Sequence, residues 1–254
     1  IGNDDAGTRI KAFLQSMEMS TAGLSVHPQK NTGTCIVTID SAGERSFIYS
    51  SGANSEITSF TEFLPMIEDE SVVHLGGGLD LPALSGLNLT LIVRDLKEKG
   101  CFVSMDLAWD WMNKGWKGLV SSLEFIDLLS MNEKEASLLT GLHEISDSAA
   151  RIVQAGCPFV VIKLGSRGAY IHSQQFRGIV PGFSVPAIDS TGTGDAFCGA
   201  MLYSLSNHRP VYESIRFANA VGAFCIQQVG ALAGIRSYQE TLRFIQEQDA
   251  STPK

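Results

Sequence analysis

Five short apolar runs rich in β-branched residues, each bounded by glycine or polar turns, recur along the chain: "TCIVTID", "SVVHLGG", "CFVSMDL", "EFIDLLSM" and "PFVVIKLG". Each has the length and residue types of a strand. Between most of them apolar residues return every three or four positions, in "SEITSFTEFLPMIE", "PALSGLNLTLIVRDLKEKG" and "SDSAARIVQAG". That spacing predicts helices, the second stopped by Gly100. Strand followed by helix, repeated, constrains this chain more than any other feature, because parallel strands need crossovers and the crossover helices must cover both faces of the sheet. The predicted fold is α/β, three layers α/β/α around a mostly parallel central sheet.

Two stretches break the alternation. "TCIVTIDSAGERSFIYS" carries a Ser-Ala-Gly turn between strand-like runs, and "GAYIHSQQFRGIV" reads as a second antiparallel pair; both are predicted hairpins. After Asp195 the pattern is mainly helical, from Asp195 to Asn207, Val211 to about Gln228 and Tyr238 to about Gln248. No repeat, low-complexity tract or linker interrupts residues 1–254, which read as one domain. The opening "IGNDDAG" places a helix start at residue 7 with no strand before it, whereas an α/β sheet usually begins with one, so a truncated N-terminus is expected.

Composition narrows the function. A net charge of −8 argues against nucleic acid or an anionic membrane as the main partner, since both would repel an acidic surface. No apolar run approaches the roughly 20 residues that span a bilayer, and the first residues lack the basic-then-apolar order of a signal peptide. A cytoplasmic protein is expected. Cys35, Cys101, Cys157, Cys198 and Cys225 are scattered through mostly apolar segments and read as reduced core residues. With no CxxC, no HExxH and dispersed histidines, nothing points to a transition-metal site.

One segment carries chemistry: "IDSTGTGDAFCGAMLYSL", Ile188 to Leu205. Glycines in and before a helix cost roughly 1 kcal/mol each relative to alanine, so something should offset them. At a strand-to-helix junction they let the amides of Gly192, Thr193 and Gly194 converge on one oxyanion, adding to the positive end of the helix dipole. Asp195 stands at the helix start, and a carboxylate there is poorly explained by anion binding alone. It makes sense as a base, because in phosphoryl transfer an aspartate accepts the proton of the attacking hydroxyl while amides and metal stabilise the phosphate. The same residues also fit a helix cap and a simple turn, since aspartate is a favoured N-cap. No GxxxxGK[ST] occurs, so the segment is not a Walker A loop.

"DSTGTGDAFCGA" resembles the C-terminal signature of the ribokinase-like, PfkB-type carbohydrate kinases, usually Asp-Thr-x-Gly-Ala-Gly-Asp, with Ser190 in a threonine position and Thr193 in an alanine position. "MNEKEASLLTG" resembles the family's Asn-x-x-Glu segment, "VVIKLGSRGAYI" its strand and glycine turn near the phosphates, and "FANAVGAFCIQQVGA" its late helix along the nucleotide. "GNDDAG" and "TGTCIVTIDSAGERSF" fit its N-terminal half, so the similarity runs from residue 2 to about 248 with the motifs in order.

The resemblance implies an ATP-dependent kinase acting on a sugar or polyol hydroxyl, with magnesium. Asp195 would be the base that contacts and activates the acceptor hydroxyl, and the amides of Gly192, Thr193 and Gly194 the anion hole. Asn132 and Glu135 would hold the phosphates and hydrated magnesium, Glu135 through water, since magnesium keeps several waters and takes few carboxylates. They also stand at capping-box spacing, with Gly141 closing the helix, and the two roles do not exclude each other. Lys163 and Gly165 fall where the family lines the triphosphate, although a lysine at a strand end also simply reaches solvent. Asn219 occupies the place where the family approaches adenine or its ribose, and Asp189 with Thr191 matches positions that in several relatives hold a monovalent cation such as potassium. Many relatives have Asp-Pro-Asn where this chain has Asp106-Leu107-Ala108; Asp106 still sits at a strand's C-terminal end, the side on which α/β ligands bind, and is a candidate acceptor contact. Trp109 and Trp111 could close a pocket there.

The family's first central strand, lid strands and Gly-Gly-Asn type sugar-binding segment should precede "IGNDDAG", so the lid is expected to be incomplete. Relatives often dimerise through the lid, and a homodimer is the assembly the resemblance allows. A non-catalytic nucleotide- or sugar-binding relative is the alternative. A nicotinamide-dependent oxidoreductase would need GxGxxG after an early strand, a spacing "GGGLD" at Gly76 does not satisfy.

Overall fold

The computed structural model describes residues 1–39, 45–77, 81–107 and 115–251. Six strands form one sheet in the order in which they occur: β3 (Val72–Leu75), β4 (Phe102–Asp106), β5 (Leu128–Asn132), β6 (Phe159–Lys163), β7 (Ala169–His172) and β8 (Arg177–Val180). The first four are parallel, β7 pairs antiparallel with β6, and β8 pairs antiparallel with β7. The mostly parallel sheet and the second hairpin are therefore as expected.

Side chains of a strand alternate between faces, and both faces are covered. Val103, Met105, Leu129, Met131, Val160 and Ile162 enter one core, filled from the other side by Leu89, Ile92 and Leu96 of α2 (Gly86–Glu98), Ala136 and Leu139 of α4 (Glu133–Thr140) and Ile152 of α5 (Ile145–Gln154). Leu128 and Val161 enter the second core, with Phe197 and Met201 of α6 (Thr193–Ser206) and Ile215 and Ala218 of α7 (Val211–Cys225); α8 (Tyr238–Ser251) packs outside through Leu242 and Ile245. This period of two has a consequence for chemistry. Asp106, two steps beyond Ser104, and Lys163, two beyond Val161, end their strands on the face that α6 covers.

Before the sheet, α1 (Asp5–Ser16) is capped by Asp4, whose Oδ1 accepts the Gly7 amide at 2.8 Å, so the helix opens two residues earlier than the sequence pattern places it. Strands β1 (Thr34–Ile39) and β2 (Arg45–Ser50) pair antiparallel, Ile36 opposite Ile48, as predicted; their Ser-Ala-Gly connection lies outside the described residues. A five-residue helix, α3 (Gly115–Leu119), leads towards β5.

Several expectations need correction. "SEITSFTEFLPMIE" forms no α-helix: 3₁₀ turns occupy Gly52–Glu56 and Thr61–Met66. Pro65 supplies no amide for an α-helical bond, and the Ser59 hydroxyl takes the Thr61 amide at 3.1 Å, a local bond that competes with helix. The start of "EFIDLLSM" is likewise 3₁₀, with β5 beginning at Leu128, because Asp127 turns its carboxylate to the Val103 amide at 2.7 Å and to Lys97. Four cysteines are buried and all five are free, but Cys35 is exposed, on the two-stranded ribbon outside the main core. The last three helices start or end a few residues away from their sequence-derived limits, the first at Thr193 rather than Asp195.

Candidate active site

The parallel strands β4, β5 and β6 end side by side at Asp106, Asn132 and Lys163, with Asn132 registered opposite Lys163 and Asp106 opposite Ser130. The N-terminus of α6 arrives at the same edge. A cleft of about 530 Å³ opens there, and its lining brings together Asp106, Asn132, Glu135, Lys163, Gly165, Thr193, Gly194 and Asn219 from the sequence-predicted set. The same lining includes the apolar Phe183, Val185, Ala223 and Ile226. Asp189, Thr191, Gly192 and Asp195 do not line this cleft.

Asn132 caps α4 by accepting the Glu135 amide at 2.8 Å, while Glu135 Oε2 accepts the Asn132 amide at 2.7 Å. The capping box is real, and both side chains still face the cleft. Burial pushes the Glu135 carboxyl up to about 7 against the opposing pull of the Asn132 amide and the Lys163 charge. Glu135 still lines the cleft while its Oε2 holds the Asn132 amide. That suits magnesium, which binds through its water shell and a single carboxylate, and no cluster of three ligating side chains exists among the described residues.

Lys163 does not reach out to solvent. Its ammonium donates to Asp106 Oδ1 at 2.7 Å, with the two side chains only 16% and 15% exposed. Burial opposes that charge, the Asp106 carboxylate favours it, and the net effect holds the lysine above its ordinary value. A Cβ built on Gly194 would lie 3.4 Å from the Lys163 Nζ, which places the ammonium directly under the first turn of α6.

Gly192 caps α6 in the left-handed region at φ 74°, and Asp195 is the third residue of the helix rather than its cap, exposed on the first turn. Of the three amides expected to form the anion hole, that of Thr193 donates to the Ser190 carbonyl at 3.3 Å. Among the described residues the amides of Gly192 and Gly194 have no such acceptor.

Asp189 ties two loops together. Its Oδ1 accepts the Thr191 hydroxyl at 2.6 Å and amide at 2.9 Å, and its Oδ2 accepts the Gly230 amide at 2.9 Å. Asn219 spends its amide nitrogen on the carbonyls of Val180 and Pro181, both at 3.1 Å, so its visible work is to clamp the end of β8 beside the cleft. Gly165, at φ 60°, opens the turn after β6.

One polar neighbour escapes a motif-based reading. His74, at the end of β3, contacts Ser104 Oγ at 3.1 Å, and burial lowers its pKa while the charges of Asp106, Lys163 and Asp195 all act on it. Only the parallel pairing of β3 with β4 brings it here; its single sequence signal is a polar residue inside a short apolar run. Ala108, Trp109 and Trp111 lie outside the described residues.

The family profile described as pfkB family carbohydrate kinase matches residues 1–237. A ribokinase from Haemophilus influenzae is 29% identical over 260 residues, covering 97% of this chain and 79% of that protein. Among solved structures, Arabidopsis thaliana ribokinase complexed with ribose and ATP superposes with a TM-score of 0.81 at 25% identity, over 96% of this chain and 80% of that one. A double mutant of Vibrio cholerae fructokinase with fructose, ADP and potassium bound gives 0.83 at 26% identity, over 96% and 83%.

Proposed function

Because the chain belongs to the pfkB family of carbohydrate kinases, we propose that it moves the γ-phosphate of ATP to a hydroxyl of a sugar or related polyol. The observation that carries this reading is the cleft at the carboxyl ends of β4, β5 and β6, lined both by the apolar Phe183, Val185, Ala223 and Ile226 and by Lys163, Asn132, Glu135 and Gly194. An apolar slot beside converging cationic and amide groups suits a nucleotide base and its phosphates, at the place where open α/β sheets bind ligands.

In this reading the acceptor oxygen attacks the γ-phosphorus, the bond from that phosphorus to the bridging oxygen breaks, ADP leaves, and the hydroxyl proton passes to Asp195 Oδ. The base needs to be unprotonated and reachable, and Asp195 is exposed on the first turn of α6. Charge on the transferring phosphoryl group meets the Gly192 and Gly194 amides, the positive end of the α6 dipole and the Lys163 ammonium. Magnesium, when bound, neutralises charge on the phosphates; Glu135 would hold it through water, with Asn132 beside it. The Asp189 and Thr191 loop, held together by the Asp189 carboxylate, would take potassium. Ribose and fructose, bound by the two similar structures, are the first acceptors to try. A cytoplasmic setting fits ATP as donor, and no helix among the described residues is long and apolar enough to cross a membrane.

The test is ADP release from Mg-ATP across a panel of sugars, sugar acids and nucleosides. Release that depends on one acceptor class supports the kinase and names its substrate. ATP binding without release for any acceptor favours the non-catalytic alternative.

A further inference from the structure

Asp106 and Lys163 stand 57 residues apart in sequence and end strands that are not neighbours, since β5 lies between them. Their contact therefore bridges the sheet edge above β5. The space beneath is occupied by Ser130 and Cys198, whose Oγ and Sγ lie 3.3 Å apart, and Cys198 Sγ also lies 3.8 Å from the Lys163 Nζ. Burial pushes the Cys198 thiol up to about 12, so it is neutral and supplies no counter-charge. Asp106 is the carboxylate within hydrogen-bond distance of the ammonium.

A lysine ammonium has three N–H donors. One goes to Asp106 Oδ1 and a second is directed at Cys198 Sγ, which leaves one. The closeness of Gly194, where a Cβ would sit 3.4 Å from Nζ, says where that remaining donor is available: at the mouth of α6, beside Gly194, which lines the cleft. A long flexible lysine with a single contact would lose considerable side-chain freedom to stay there. The carboxylate fixes it beforehand.

We propose that Asp106 is a positioning residue and not an acceptor ligand: its carboxylate anchors the Lys163 ammonium beneath Gly194, so that the ammonium forms the floor of the γ-phosphate cradle. The inference rests on the phosphotransferase reading. It moves Asp106 from the sugar side of the reaction to the phosphate side, and it makes the pair act as one unit.

Binding of ADP and of a non-hydrolysable ATP analogue, measured by calorimetry with magnesium on the wild-type chain, Lys163→Met, Asp106→Asn and the double variant, tests this. Lys163→Met should weaken the ATP analogue by about tenfold, the equivalent of one charge-assisted contact, and leave ADP within about twofold. Asp106→Asn should reproduce that split, and the double variant should bind the analogue no more weakly than Lys163→Met alone. A merely structural role would weaken both nucleotides together. If Asp106→Asn does not fold, because it leaves a buried ammonium unpaired, the double variant removes both charges and its comparison with Lys163→Met still decides. A further loss in the double variant, or equal binding of the analogue by Lys163→Met and the wild type, overturns the inference while leaving the kinase reading intact. A wild-type chain that binds neither nucleotide overturns both.

Discussion

A Cβ placed on Gly192 would lie 2.6 Å from the carbonyl oxygen of Ala231. The backbone there also turns through φ 74°, a region that costs an L-residue about 1–2 kcal/mol. Gly192 is needed twice over, for the turn into α6 and for the approach of the 226–231 loop. Gly192→Ala should lower the melting temperature by several degrees, at about 2–4 °C per kcal/mol for a chain of this size, and should reduce turnover by more than its loss of folded protein. Thermal melts beside initial rates check this; an unshifted melt would show that the loop yields freely.

Gly194 is different, because its neighbour is a side chain. Gly194→Val brings methyl groups against the Lys163 ammonium without straining φ, and helix propensity is not reduced. The fold should survive, with a melting temperature within about 2 °C of the wild type, while turnover falls by about 10² or more, because the valine side chain displaces the Lys163 ammonium and crowds the space before the amide. Unchanged turnover and unchanged ATP affinity in this variant would remove the amide cradle from the account.

Asp189→Asn replaces a carboxylate that accepts three bonds, from the Thr191 hydroxyl and amide and from the Gly230 amide. Hydrogen bonds to charged groups contribute about 1.5–3 kcal/mol each, so the loss should be a few kcal/mol after partial compensation by the asparagine oxygen. The variant should melt earlier and lose any stimulation of turnover by potassium over sodium. Stimulation that persists would place the ion elsewhere.

These residues differ in how far the sequence alone exposed them. The alternation of "CFVSMDL", "EFIDLLSM" and "PFVVIKLG" with helical spacing carried the sheet, because a strand buried on both faces leaves an unbroken apolar run. The Asn132 and Glu135 box was legible for a similar reason: a cap is a local bond, closed within three residues. The Asp106 to Lys163 contact and the arrival of His74 were not legible, since they depend on which strands lie side by side. Asn219 lines the cleft, yet its bonds to Val180 and Pro181 span about forty positions and leave no local trace. In "SEITSFTEFLPMIE" the apolar spacing was helical, and a serine hydroxyl and a proline overruled it.

Glu135 sets a pH dependence. Its carboxyl is raised by burial from 4.5 to about 7 in the folded chain. The folded state therefore holds this proton more tightly than the unfolded state, and the stability linked to it is fully present below about pH 4.5 and lost as the pH rises through about 7. Magnesium demands the opposite form. Magnesium-dependent ATP binding should strengthen from pH 6 to pH 8, by about tenfold over that range as the carboxylate forms. Glu135→Gln should bind weakly and show no such slope in calorimetry; a slope retained in that variant would assign the proton to another group.

The most direct measurement is acceptor-dependent ADP release by the wild type and by Asp195→Asn, with ATP affinity determined on both. The account predicts that the variant binds ATP as the wild type does while its turnover falls by about 10²–10⁴, the range that general base catalysis supplies. Equal turnover in the two proteins would contradict it, because the carboxylate on the first turn of α6 could then not be the base.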